Sequence, residues 1–518
     1  QQRLWFWQQL MPDSTAYNQI FAVRLTGQLH IAALHQTLNE IIARHNTLRT
    51  TFHSDNGQPC ARLQPVGDYP LPLTDLSHEP APAQARQVQV RIAADASQVF
   101  DLERGPLIRF QLLRLGAEAH VLLINVHHIV MDGWSVEIFT QDMAALYAAF
   151  CRQETPNLSP LPIQYADFAR WQQEWVAQSG DIQRQFAYWT EKLGLNPPSL
   201  DLPADRPRPA LPAFQGGIHN FALDAALSQQ LRQVGQVAGC SLFMTLLSTW
   251  HALFYLYTHQ DQIRIGTPVA GRNQPEVERL IGLFVNVLVL AADFHHKPNF
   301  HELLTQVQRA TLEAYENQDV PFDKLVERLQ TKRDNSGQPL FQVMFTFQDW
   351  LEEVRELPGV RMEMMPAFNP NVKFDLSIGM WAEAGELRGR IEYNSDIFNP
   401  ETLARMTAQW TRLLAQLLAA PEQPIAAHAL STETEIAQYQ QLATRLTQHP
   451  AVQDAGILPW RDTPTSPYLI AYLLLHPGQM LPTIATLRLH LQQQGWHGPL
   501  PADLVQVGQI LRHPDGRL

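Results

Sequence analysis

Three observations predict an α/β fold in two lobes, followed by a smaller α/β region. The chain has 518 residues, too many for one ordinary core and enough for roughly three domains of ~150 residues each. Strand-like runs alternate with runs whose apolar residues recur at helical spacing, the pattern of an α/β build. Two stretches break that alternation without periodicity and read as linkers: NPPSLDLPADRPRPALPAFQGG (196–217) and PEQPIAAHALSTETE (421–435). The expected division is a first lobe at 1–175, a second at 176–430 and the small region at 431–518.

In chain order, AYNQIFAVRLTG (16–27) predicts the first strand. A helix follows over 30–45, where Ile31, Leu34, Leu38, Ile41 and Ile42 form one apolar stripe. NTLRTTF (46–52) reads as a strand, and PLIRFQLLRLG (106–116) with HVLLINV (120–126) as a pair of strands. The next helix, 135–150, carries Val136, Phe139, Met143, Leu146, Tyr147 and Phe150 at helical spacing, with Ser135 as its N-cap. Beyond the first linker, GIHNFAL, LSQQLRQVGQVAG, SLFMTLLSTWHALFYLYT and IRIGTPVAG alternate again, and the second lobe closes on the helix of NPETLARMTAQWTRLLAQLLAA.

The totals exclude several classes of function. A net charge of −12 with no dense Lys/Arg cluster argues against a nucleic-acid partner. Cys60, Cys151 and Cys240 lie far apart with no CxxC, so neither a zinc ribbon nor a disulfide framework is encoded. Free thiols fit a reducing compartment, and a cytoplasmic location is expected. No run of 18 apolar residues predicts a membrane span, and no signal peptide opens the chain. QQRLWFWQQL (1–10) already reads as packed structure, so the expected N-terminus lies upstream.

The chemistry concentrates in VLLINVHHIVMDGWS (121–135), at a strand–loop–helix junction, where reactive groups are commonly mounted on a rigid frame. Adjacent residues of a strand point to opposite faces. His127 and His128 therefore do not converge on one ion if the strand runs through both, and no metal site is expected. A neutral imidazole accepts a proton from an attacking NH, OH or SH near pH 7. A buried Asp132 needs a cationic partner or hydrogen bonds, and Arg49 in LRTTF is the expected partner. Gly133 leaves room for close approach of a backbone or a substrate.

With these residues in place, the chain resembles the condensation domains of nonribosomal peptide synthetases. QRLWF (2–6), RHNTLRTTF (44–52), NVHHIVMDGWS (125–135), YADFARW (165–171), IGLFVNVLVL (281–290), NQDVPFDKLV (317–326) and RDNSGQPLFQVMF (333–345) resemble that family's motifs in order, from residue 1 to about 430. Asn46 stands where Glu is usual and Val287 where Thr is common. The resemblance implies two chloramphenicol-acetyltransferase-like lobes in a V with a central tunnel. Donor and acceptor peptidyl carrier proteins, with neighbouring synthetase domains, are the implied partners. They deliver substrates as phosphopantetheine thioesters, with no cofactor bound by the chain itself. It implies His128 as the catalytic residue, His127 and Asp132 in support, Gly133 on the tunnel wall with Trp134 and Ser135 beside it, and Asn286 of the second lobe closing the site. The implied reaction is amide formation between a carrier-bound acyl thioester and a carrier-bound amine. Ester formation, a coenzyme-A donor and a non-catalytic recruiting module are the alternatives. The heterocyclising DxxxxD pattern is absent, and DGWSVEIF lacks the VSW-like stretch of epimerising members. The motif set looks most like members joining two L-configured partners.

The tail carries a second resemblance. QHPAVQDAGIL, YLIAYLLL, LRLHLQQQG and ILRHPDGRL are similar to the C-terminal subdomain of adenylation domains, with Arg517 where that subdomain has a lysine. No phosphate-binding loop or large adenylation core precedes it, which implies a truncated remnant unable to activate an amino acid.

Overall fold

A computed structural model describes residues 1–195, 197–209, 215–329, 340–347, 355–365, 371–463, 466–496 and 500–510. Arg517 lies outside them, as does most of the RDNSGQPLFQVMF motif.

Helix α1 (Gln2–Leu10) precedes strand β1 (Asn18–Gly27) and helix α2 (Ile31–Arg44). The hairpin β2 (Thr50–Asp55) and β3 (Gln58–Leu63) leads to β4 (Leu73–Asp75), α3 (Ala81–Ala96), β5 (Ile108–Gly116) and β6 (Ala119–His127). Three helices follow: α4 (Gly133–Cys151), α5 (Tyr165–Gln178) and α6 (Gly180–Leu193). The second half runs through β7 (Gly216–Leu223), α7 (Ala225–Val237), α8 (Leu242–Thr258), β8 (Gln262–Val269), β9 (Asn286–Asp293), α9 (Phe300–Glu316) and α10 (Phe322–Arg328). It continues with β10 (Val343–Phe347), β11 (Arg355–Leu357), β12 (Val360–Met365), β13 (Leu376–Glu383), β14 (Glu386–Asn394) and α11 (Pro400–Ala419). The tail holds α12 (Glu433–Leu446), β15 (Val452–Thr463), β16 (Ser466–Leu475), α13 (Ile484–Gln493) and β17 (Pro501–Gln506).

The expected α/β class is the observed one. One six-stranded sheet has the order β11-β12-β1-β6-β5-β4, and another β7-β14-β13-β10-β8-β9. The tail strands form a sheet of their own, β15-β16-β17. β11 and β12 lie between β10 and β13 in the chain, yet β12 pairs antiparallel with β1, Ala22 opposite Met365. The second half of the sequence thus completes the first sheet.

β6 is buried at every position after Ala119, because both of its faces are covered. Leu122, Ile124 and Val126 face the core built with α2 and α4. Val121 and Leu123 face Val88, Ile92 and Ala96 of α3. This period-two division is what a strand imposes, and it makes β6 a rigid mount for the residues that follow it. The second sheet packs on α8, α9 and α11, with Trp250 and Trp410 stacked at 4.4 Å in the core. Among the described residues no single helix is long and apolar enough to cross a membrane.

Four local expectations are corrected. Residues 46–49 form a 3-10 turn, and the strand begins at Thr50. Leu48 N closes that turn onto His45 O, and the Thr50 hydroxyl bonds Asn46 O. Helix α4 starts at Gly133 with Asp132, not Ser135, as N-cap. The described part of the first linker is strapped to the second sheet: Arg206 donates to Ser395, Asp396 and Phe398 carbonyls, and Arg208 pairs with Asp375. Residues 433–435, at the end of the second linker, open α12, where Thr432 and Glu435 form a reciprocal capping box.

Candidate active site

The two histidines part company where β6 ends. His127 continues the strand face of Val121 and Leu123 into the interior, 1% exposed, with its ring edge-on to Phe100 at 6.0 Å. Its Nδ1 accepts from Ile129 N at 3.2 Å, so the proton sits on Nε2. Burial, reinforced by the charge of Lys373, brings its pKa down to about 3.

His128 lies one residue beyond the strand and is only partly buried. Its N–H donates to Tyr17 O at 2.8 Å, which fixes the backbone to β1's approach. The ring Nδ1 is 2.9 Å from Met131 O. A carbonyl only accepts, so Nδ1 carries the hydrogen and Nε2 keeps its lone pair. Burial holds the imidazole well below its usual pKa; Lys373 acts in the same direction and the Met131 carbonyl opposes them. The Tyr17 ring lies 6.4 Å from the His128 ring, at 29°, and the Lys373 ammonium is 4.8 Å from the centre of the same Tyr17 ring.

Asp132 is fully buried, and its carboxylate is the junction between the two halves of the chain. Oδ1 accepts from Ser135 N at 2.8 Å, Ser135 Oγ at 2.7 Å and Arg272 Nη2 at 3.3 Å. Oδ2 accepts from Phe284 N at 2.8 Å and Val285 N at 3.1 Å. Ser135 Oγ also accepts from Gly282 N and Arg272 Nη2. Arg272 caps the same loop by donating to Val277 O and Leu280 O, and its guanidinium lies 4.1 Å from the Phe284 ring centre. Arg272, not Arg49, is therefore the cation beside Asp132. Arg49 turns away to Gln64 O and Asn46 Oδ1, because the 3-10 turn at 46–49 directs it toward the β2–β3 hairpin side.

The loop 270–285, between β8 and β9, is shaped by two glycines. Gly271 has φ +64°, and a Cβ there would sit 2.1 Å from Phe284 O. A Cβ on Gly282 would sit 2.1 Å from the Tyr165 ring. Tyr165 in turn donates to Leu283 O at 2.8 Å and packs edge-on to Phe284 at 4.9 Å. Tyr165 and Phe168 thus join the YADFARW segment to this loop.

The remaining expected residues sit around this frame. Gly133 is exposed, and among the described residues nothing beyond its chain neighbours and its own helix backbone lies within 4 Å of where its Cβ would be. Trp134 is 57% exposed. Asn286 donates to Gln318 O and Val320 O and accepts from Phe322 N, which ties β9 to the NQDVPF turn. It also borders a cavity of about 150 Å³ lined in part by Trp171, Trp175 and Asp319.

Sequence reasoning missed Arg272, Tyr17 and Lys373. Arg272 follows the last glycine of GTPVAGRN, where a lone cation closes an apolar run. Lys373 in NVKFDLS and Tyr17 in TAYNQIF carry no local signal that sets them apart.

The condensation-domain family profile matches residues 1–440, and the chain belongs to the condensation-domain family. Its fold is the mixed α/β, chloramphenicol-acetyltransferase-like one of the solved members. Among relatives, one polypeptide of the linear gramicidin synthase of Brevibacillus parabrevis is 42% identical over 437 residues, 84% of this chain and 6% of that protein. Another polypeptide of the same synthase is 39% identical over 503 residues, 96% of this chain and 10% of that protein. The chain thus spans a tenth or less of the length of these relatives. Among solved structures, the X-domain from teicoplanin biosynthesis superposes with a TM-score of 0.76 at 28% identity, covering 83% of this chain and 96% of that one. The first condensation domain of the calcium-dependent antibiotic synthetase superposes with a TM-score of 0.68 at 22% identity, covering 83% and 98%.

Proposed function

We propose that this chain is the peptide-bond-forming condensation unit of a nonribosomal peptide synthetase. It joins an acyl or peptidyl thioester on a donor carrier protein to the amine of an aminoacyl thioester on an acceptor carrier. Residues 1–175 and 176–430 act as the two lobes, and 431–518 as an adenylation-subdomain remnant. The observation that carries the reading is the His128 imidazole: partly exposed, tied through Nδ1–H to Met131 O, with Nε2 left as a base.

The amine nitrogen attacks the thioester carbonyl and a C–N bond forms. An α-amine has an ordinary pKa of about 7.7–8.0, so much of it is already neutral near pH 7 and no strong base is needed to begin. As the tetrahedral adduct collapses, the C–S bond breaks, the nitrogen proton passes to His128 Nε2, and the imidazolium returns it to the departing thiolate. Holding two tethered reactants together supplies much of the acceleration. Asp132 acts on the frame, by capping α4 and gripping the 270–285 loop. The open space at Gly133 suits a passing pantetheine arm with the exposed Trp134 beside it, whereas Ser135, expected there, is buried in the Asp132–Arg272 network and acts on the frame, as Asn286 does by tying β9 to the 317–322 turn.

The test is transfer between two loaded carriers followed by intact-protein mass spectrometry across a panel of acyl groups. His128→Ala lowers the rate ~10²–10⁴-fold, the range of one acid–base group. Undiminished transfer by that variant rejects the reading. A second reading, a partner-recruiting module, has support in the likeness to the X-domain, which is also solved in a complex with OxyB. The oriented His128 favours catalysis over it, and absence of transfer by the unmodified chain would reverse that preference.

A further inference from the structure

Tyr17 connects His128 to a cation from the other half of the chain. Its carbonyl accepts from His128 N at 2.8 Å, its ring faces the imidazole at 29°, and the Lys373 ammonium rests 4.8 Å from the ring centre. An ammonium over an aromatic face is held by the ring quadrupole. Lys373 sits two residues before Asp375, whose carboxylate is 4% exposed and clamped by Arg208. The lysine is thus set on a fixed stretch of backbone at the entry to β13.

We propose that Lys373 is a positioning residue for His128: its ammonium, held over Tyr17 from the second half of the chain, fixes the ring that faces the imidazole and sets a positive charge beside it. The groups facing His128 fit this assignment. Lys373 acts on it from the β13 approach, the buried His127 flanks it on β6, and Tyr17 faces it from the approach to β1. None of these described groups is a carboxylate. Lys373 in turn faces Arg3 of α1 and Glu392 of β14. Glu392 keeps the ammonium charged against burial, which brings the lysine down to about 8. The arrangement couples catalytic competence to the seating of the two halves of the chain, because base and cation come from different ones. It rests on the reading of His128 as the proton acceptor, but its test needs no substrate.

The rate at which diethyl pyrocarbonate carbethoxylates His128 is followed against pH by peptide mass spectrometry, since only the neutral imidazole reacts. Removing the cation must raise the midpoint. Lys373→Met moves it up by about one pH unit or more, the size of one nearby charge, while Lys373→Arg leaves it within a few tenths of the unmodified protein. An unmoved midpoint in a Lys373→Met protein that melts normally overturns the proposal. So does an equal shift in the arginine variant, which would mark a packing role. If the methionine variant does not fold, Lys373→Gln replaces it and is judged by the same shift. Failure of carrier-to-carrier transfer with an intact midpoint shift would count against the proposed reaction and leave the Lys373 linkage standing.

Discussion

At the scale of single residues, burial decides what each polar group does. Asp132 accepts from five donors drawn from two distant segments, so removing it strands the Arg272 guanidinium in the interior. Breaking a buried pair by deleting one partner costs about 3–5 kcal/mol. Asp132→Ala therefore loses roughly that much stability in urea denaturation, and a double cycle with Arg272→Met shows strong coupling between the two sites. A pair that behaves additively would detach Asp132 from Arg272. The buried histidines set the response to acid. His127, at about 3, and His251, at about 4, stay neutral when folded and bind protons from about pH 6.5 downward once unfolded. Their stabilisation is complete above pH 6.5 and is lost as pH falls toward their folded values, at up to ~1.4 kcal/mol per pH unit for each. Asp95 and Glu392, raised by burial, work in the opposite direction. The urea midpoint should fall between pH 7 and pH 5, and a midpoint that rises over that interval contradicts this balance.

At the scale of elements, the 270–285 loop is the part on which the site depends without supplying its base. Its path is set by contacts on both sides: Asp132 and Ser135 bind its backbone, and Tyr165 of α5 closes over Gly282. Gly282→Ala forces a methyl into the Tyr165 ring. Overpacking of this kind costs about 1–3 kcal/mol, and it pulls the loop off Asp132. The variant should unfold earlier in urea, and Tyr165→Leu added to it should recover part of the loss by making room. No recovery would place the strain elsewhere in the loop.

At the scale of the whole molecule, the main body and the tail have separate interiors. Among the described residues, Tyr439, Leu442, Leu446, Val452, Leu473 and Leu491 form a core with no member from the two large ones. A unit with its own core folds as its own unit. Truncation after Leu430 should leave the main calorimetric transition cooperative and remove a smaller one. Collapse of the main transition would show that the tail is needed to hold the body. The body itself is not divisible in that way, because β11 and β12 come from the second half of the sequence and complete the first sheet.

Much of this molecule was readable in its letters because the responsible forces are local. The apolar stripe of α2, the run of β6, the helix after Asp132 and the HHIVMDG segment (127–133) each depend on neighbours a few positions away. Strand geometry makes adjacent histidines diverge only where the strand runs through both; β6 ends at His127, and His128 is oriented instead by its contacts to Tyr17 O and Met131 O. The 3-10 turn at 46–49 is not legible in NTLRTTF, because it is set by Leu48 and Thr50 folding back on His45 and Asn46. The pairing of Asp132 with Arg272, the loan of β11–β12 to the first sheet and the placing of Lys373 over Tyr17 had no local trace. Each joins segments more than a hundred residues apart, and which of several arginines reaches a buried carboxylate is settled by how sheets and loops pack, not by any pattern a short window contains.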